Sequence, residues 1–233
     1  MGISWEITKN FVKNNSEELN PALWENNHLI PEVRTKLIEI ANEFIENFSI
    51  KLIVDDIHII GSNAGYNYKE TSDIDLHILT NYMVYPADVD IMDELFNAKK
   101  NNFNNNYSIT IKDFPVELYV EDINSMAESN GRYSVVADAW IQEPHYVEEP
   151  EVNMDLYNDY VSKIENTIES CPDVIDYLID EIWDKRKQSI KTDGFTGEFN
   201  LVFKKLRADG YLDTLRQANF DYKSEQLSLK EEC

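Results

Sequence analysis

The sequence predicts an α+β protein: a mixed sheet flanked by helices in an α/β-type core, followed by a C-terminal helical domain. Three observations carry this expectation. Residues 56–61 form a short apolar strand, and apolar and polar residues alternate over 72–79 with the period of a half-buried strand. A hairpin pattern follows within 107–120. Beyond about residue 145 the apolar spacing changes to the 3.6-residue period of helices.

The elements follow in order. Over 31–48, Val33, Leu37, Ile40, Ala41, Phe44, Ile45 and Phe48 fall on one helical face, and Pro31 suits a first turn. Residues 56–61 form a short apolar strand that ends at Gly61. In the second strand, Ile74, Leu76 and Ile78 face one way and Asp73, Asp75 and His77 the other. Residues 87–100 read as a helix and the asparagine-rich 101–106 as a loop. Two strands, 107–111 and 116–120, are expected to be joined at Asp113–Pro115. In the helical part, Leu156, Tyr160, Ile164 and Ile168 step by four. Val174, Leu178 and Ile182, with Ile175, Ile179 and Trp183, make a second stripe. Residues 196–210 make a third helix closed by Gly210. The expected domains are 1–148, with helices at its N-terminal end, and 149–233.

Composition narrows the function. Of the 233 residues 42% are hydrophobic and 28% charged, which suits a packed core. Lys and Arg number 21 against 44 Asp and Glu, a formal net charge of −23. Such a surface repels a phosphate backbone and argues against extended duplex binding. Cys171 and Cys233 are the two cysteines, too few for a thiolate metal cluster or a disulfide framework, so a reducing compartment is expected. The N-terminus lacks the basic and apolar regions of a secretory signal, and Glu6 stands where a myristoylation motif at Gly2 needs Ser or Thr. No apolar run approaches the roughly 20 residues that cross a bilayer. The expectation is a cytoplasmic protein without membrane association.

Charge is also segmented. From Gln142 to Asp184 thirteen residues are acidic and one is basic; from Lys185 to Arg207 seven are basic and two acidic. The basic stretch reads either as a solvated helix face or as a segment that meets a polyphosphate.

Strand alternation puts Asp73 and Asp75 on one face, about 7 Å apart at Cα. Converging carboxylates are costly unless a cation lies between them. Their hard oxygens select Mg²⁺ or Mn²⁺, which hold phosphoryl groups and activate hydroxyls. Glu117, in a strand that can neighbour 73–79, is the candidate third carboxylate, with Asp113 the weaker alternative. Gly61 and Ser62 end the preceding strand, where bare backbone N–H groups in a turn can bind phosphate. His77 reads as a hydrogen-bonding neighbour of this site, Tyr66 and Tyr68 as surface rings, and Tyr133 and Trp140 as packing groups. Lys69 is either solvated or close to a phosphate.

A Gly-Ser pair, about ten residues, and then Asp73-Ile-Asp75 leading a strand resembles the active-site signature of the DNA polymerase β-like nucleotidyltransferase superfamily. Four longer segments, "LNPALWENNHLIPEVRTKLIEIANEFIE", "VELYVEDIN", "GRYSVVADAWIQEP" and "GEFNLVFKKLRADGYLDTL", are similar to predicted nucleotidyltransferases of tailed bacteriophages. The resemblance spans nearly the whole chain. It implies transfer of a nucleoside monophosphate from an NTP donor, with two Mg²⁺ (or Mn²⁺) ions and release of pyrophosphate. It implies metal ligation by Asp73 and Asp75, completed by Glu117 where the superfamily more often has Asp. Gly61 and Ser62 would hold the triphosphate, and Lys204, Lys205 or Arg207 would neutralise it. The location would be the host cytoplasm if the protein is phage-encoded.

The same residues bear on other classes. In glycosyltransferases an apolar strand precedes the Asp-x-Asp pair, whereas here the apolar run follows it. A catalytically silent nucleotide- or protein-binding module on the same fold is the alternative. The acidic surface favours a protein or small-molecule acceptor over long nucleic acid.

Overall fold

A computed structural model describes residues 18–148 and 150–229; the leader reading, Gly2 and Cys233 lie outside the described residues. The chain divides into two units, Met1–Val147 and Glu148–Cys233. The described part of the first begins with a small hairpin, β1 (Trp24–Glu25) and β2 (His28–Leu29). Its two turn residues, Asn26 and Asn27, have φ of 52° and 63°, the left-handed conformation that a two-residue hairpin turn requires and asparagine tolerates.

Helix α1 (Pro31–Glu46) follows, with Pro31 in its first turn and Val33, Leu37, Ile40, Ala41 and Phe44 buried. Next come β3 (Asp56–Ile60), β4 (Ile74–Thr80) and α2 (Val89–Asn106). Then come β5 (Thr110–Ile111), β6 (Phe114–Asp122), β7 (Arg132–Ser134) and β8 (Ala139–Gln142). The six strands β3–β8 form one mixed sheet in the order β5-β6-β4-β3-β7-β8. Only the β4–β6 pair is parallel, and a parallel neighbour needs a long crossover; α2 supplies it.

The faces of this sheet differ. Ile57 and Ile59 of β3, Ile74, Leu76 and Ile78 of β4, and Leu118 of β6 join α1 and Met92, Phe96 and Phe103 of α2 in one core. The opposite face carries Asp56, His58, Asp75, His77, Glu117, Tyr119 and Glu121. That division follows from the two-residue period along each strand and from the pairs His58–His77, Asp75–Glu117 and His77–Tyr119.

Three expectations need correction here. Residues 101–106 are not a loop: α2 continues through Asn106, because buried Phe103 extends the stripe of Met92 and Phe96 by two turns. Asn104 then serves as a stand-in strand, its Oδ1 accepting from Leu118 N at 3.3 Å and its Nδ2 donating to Leu118 O at 3.2 Å. The strand expected over 107–111 shrinks to Thr110–Ile111. The hairpin turn lies at Lys112 and Asp113, with φ of 50° and 70°, leaving Pro115 within β6 opposite Thr110.

The second unit is helical: α3 (Met154–Ser170), α4 (Ile175–Asp193), α5 (Glu198–Ala208) and α6 (Tyr211–Leu227). Asn153 caps α3, accepting from the N–H groups of Asp155 and Leu156. Tyr160, Ile164, Leu178, Ile182, Val202, Phe203, Leu206 and Leu215 fill its interior. Gly210, at φ 83°, lets the chain leave α5 and turn directly into α6. No helix among the described residues is long and apolar enough to cross a membrane.

Candidate metal centre

The parallel register of β4 and β6 places Asp75 directly opposite Glu117. Asp73, one residue before β4, turns in beside them. Each of the three side chains offers one carboxylate oxygen, and these atoms lie within 4.8 Å of one another with all three residues half-buried. An ion with ligand bonds of about 2.1 Å spaces neighbouring oxygens roughly 3 Å apart, so the trio would draw together to hold Mg²⁺ or Mn²⁺. A hard, all-oxygen donor set of this kind suits those ions rather than zinc or copper. Asp113 is exposed in the β5–β6 turn and is not part of the group.

Position 61 is a glycine for two reasons. Its backbone, φ 76° and ψ −160°, lies in a region that is essentially glycine-only. A Cβ there would also stand 2.0 Å from Oδ2 of Asp75. The Gly61 N–H, expected to be bare, instead donates to Ser129 Oγ at 3.3 Å. Ser62 begins a single 3₁₀ turn, Ser62–Ala64, and its hydroxyl donates to Ser72 Oγ at 2.9 Å.

The loop from 61 to 73 is held by Asn63, a residue with no solvent exposure. Its Nδ2 donates to the carbonyl of Asp73 at 2.8 Å. Its Oδ1 accepts from Asn20 Nδ2 at 2.9 Å, and its carbonyl from Trp24 Nε1 at 2.8 Å. Asn63 therefore fixes where the first aspartate sits.

Glu117 has its own support. Tyr119 Oη donates to Glu117 Oε2 at 2.6 Å, and desolvation and the neighbouring carboxylates push the Tyr119 phenol well above its usual range. The Tyr119 ring stacks on His77, centroids 4.7 Å apart and planes 20° apart. The Lys100 ammonium lies 4.5 Å from the centroid of the Tyr119 ring, and burial lowers its pKa.

His77 leads into a buried ionic chain. Its Nδ1 lies 3.1 Å from Glu121 Oε2, and Arg132 donates to both Glu121 oxygens at 3.0 and 3.2 Å. Burial opposes the Glu121 charge, but hydrogen bonds from His77, Arg132 and the Ala127 N–H outweigh it and hold its pKa at about 2. Arg132 also donates to His58 Nδ1 at 3.0 Å, so His58 Nε2 is the donor to Asp56 Oδ2 at 3.0 Å. Burial lowers the pKa of His58 and favours its neutral form.

The remaining expected residues belong to other elements. Lys204 and Arg207 belong to α5 of the second unit, where the adjacent Lys205 pairs with Asp209 at 2.8 Å. Tyr133 is fully buried between Trp24 and Trp140, the packing role expected of it. Asn63 and the Glu121–Arg132 pair were not anticipated. Tyr119 carried a readable signal: two residues after Glu117, it shares that residue's strand face.

No protein-family model, curated protein or solved structure matches this chain. Its fold is α+β, with a mixed sheet flanked by helices, and its most distinctive chemistry is the carboxylate trio that could hold a metal ion.

Proposed function

We propose that this chain is a metal-dependent nucleotidyltransferase of the polymerase β-like kind, moving a nucleoside monophosphate from an NTP to a hydroxyl acceptor and releasing pyrophosphate. The observation that carries this reading is the register of Asp75 against Glu117 with Asp73 beside them, at the start of β4 and against the Gly-Ser turn that follows β3. When bound, Mg²⁺ or Mn²⁺ supplies Lewis-acid stabilisation of the transferring phosphoryl group and lowers the pKa of the attacking hydroxyl. Asp73 and Asp75 would hold the metal ions, and Glu117 would complete the site and help deprotonate the acceptor hydroxyl. Gly61, which packs against Asp75, and Ser62 next to it would lie beside the triphosphate.

The net charge of −23 disfavours a long polyanionic acceptor. A protein or small molecule bearing a hydroxyl is the acceptor class that fits.

The test is pyrophosphate release with each of the four NTPs in Mg²⁺ and in Mn²⁺, comparing wild type with Asp73→Ala plus Asp75→Ala. Intact-mass analysis of candidate acceptors, including the protein itself, identifies donor and acceptor together. A nucleotide-sized mass increase that needs both aspartates supports transfer. Metal-dependent NTP binding without pyrophosphate release or added mass, with any acceptor tried, favours the catalytically silent module instead.

A further inference from the structure

We infer that Tyr119 is a positioning residue for the metal centre, acting through Glu117. This rests on the metal-site reading proposed above. Glu117 and Tyr119 sit two apart on β6 and so share a face. The phenol donates to Glu117 Oε2 at 2.6 Å, fixing the plane of a carboxylate that would otherwise rotate freely about its last bond. The phenol is itself held from two elements. His77 of β4 stacks on its ring at 4.7 Å, and Lys100 of α2 lies 4.5 Å from the ring centroid. His77 is in turn anchored to Glu121, which Arg132 grips with both of its terminal nitrogens.

The consequence is a division of labour across the sheet face. Asp73 is placed by Asn63 and Asp75 by its contact with Gly61. Glu117 takes a phenol as its hydrogen-bond donor, and that donor belongs to a buried chain reaching across β4 and β3 to Asp56. Partners of this kind typically change metal affinity 10- to 100-fold when removed.

The experiment is Mn²⁺ binding, read by electron paramagnetic resonance and calorimetry on the full chain. It compares wild type, Tyr119→Phe, Glu117→Gln and the double variant, each with its metal-free melting temperature. Tyr119→Phe keeps the ring, the stack and the Lys100 contact and removes only the donor. The expected result is about tenfold weaker Mn²⁺ binding in Tyr119→Phe, and no further weakening when the same change is made in Glu117→Gln. A general packing defect would act equally in both backgrounds, so the cycle separates the two even if Tyr119→Phe melts lower. Wild-type affinity in Tyr119→Phe, or an equal loss in both backgrounds, overturns the inference while leaving the metal site standing. Wild type and Asp73→Ala plus Asp75→Ala binding Mn²⁺ alike would remove the metal site and this inference together.

Discussion

The carboxylate of Asp75 rests on the bare Cα of Gly61: a methyl group there would come within 2.0 Å of Oδ2. The strand-ending glycine and the second aspartate are thus in steric contact, and a side chain cannot be added at 61 without moving Asp75. Gly61→Ala is expected to displace Asp75 and to strain the backbone by about 1–3 kcal/mol. NTP-dependent activity and Mn²⁺ affinity should each fall at least tenfold, measured beside the melting temperature to separate displacement from unfolding. Activity retained in a folded Gly61→Ala would refute this coupling.

Removing a charge from the trio should act in opposite directions with and without metal. Three carboxylates within 4.8 Å repel one another when no cation is bound. Asp75→Asn should therefore raise the melting temperature in EDTA. It should also abolish the stabilisation that saturating Mg²⁺ or Mn²⁺ gives wild type, about 2.7 kcal/mol at a hundred times Kd. Thermal melts across a metal titration check both halves.

Asn63→Ala removes a fully buried amide that spans Asn20 and the Asp73 carbonyl. The orphaned partners should cost about 1–3 kcal/mol each where they stay dry. The loss of activity should exceed what the stability change explains, because Asp73 loses its anchor. Denaturant melts and NTP turnover on the same preparation give the comparison.

Acid stability should depend on Glu121. Its pKa is about 2 in the fold against an ordinary 4.5. Its ionised form therefore adds stability above about pH 4.5, roughly 3 kcal/mol, which drains away as pH falls towards 2. His58 acts in the same sense at higher pH: with its pKa lowered by burial, stability declines as pH falls below 6.5. Urea melts from pH 7.5 to 3 should show both, with Glu121→Gln flattening the low-pH limb and His58→Gln the upper one.

Much of the site can be read in the sequence because it lies on strands. The two-residue period puts Asp75 and His77 on one face and marks Glu117 as the odd polar residue in an apolar strand. The asparagine run was harder. Asparagine favours loops through local hydrogen bonds, and only the buried Phe103 makes 101–106 helical. Helix α6 has no legible period in the sequence because it buries only Leu212 and Leu215 at its start and shows no sustained stripe. The short strands β7 and β8 lack enough residues to display a period. Asn63 left no trace, since its partners Asn20 and Asp73 meet it only through folding.

Asn104 has a consequence beyond the strand it borders. Past Val116, whose N–H donates to the Ile109 carbonyl at 2.9 Å, the outer edge of β6 has no strand beside it among the described residues, and the amide of Asn104 occupies the hydrogen-bonding groups of Leu118 as a neighbouring peptide unit would. An unsealed edge is a template for a foreign strand. At this place such an intruder would lie one residue from Glu117. A single side chain thus guards the sheet against intermolecular growth where growth would also crowd the carboxylates, and the outermost strands β5 and β8, two and four residues long, leave little else to template.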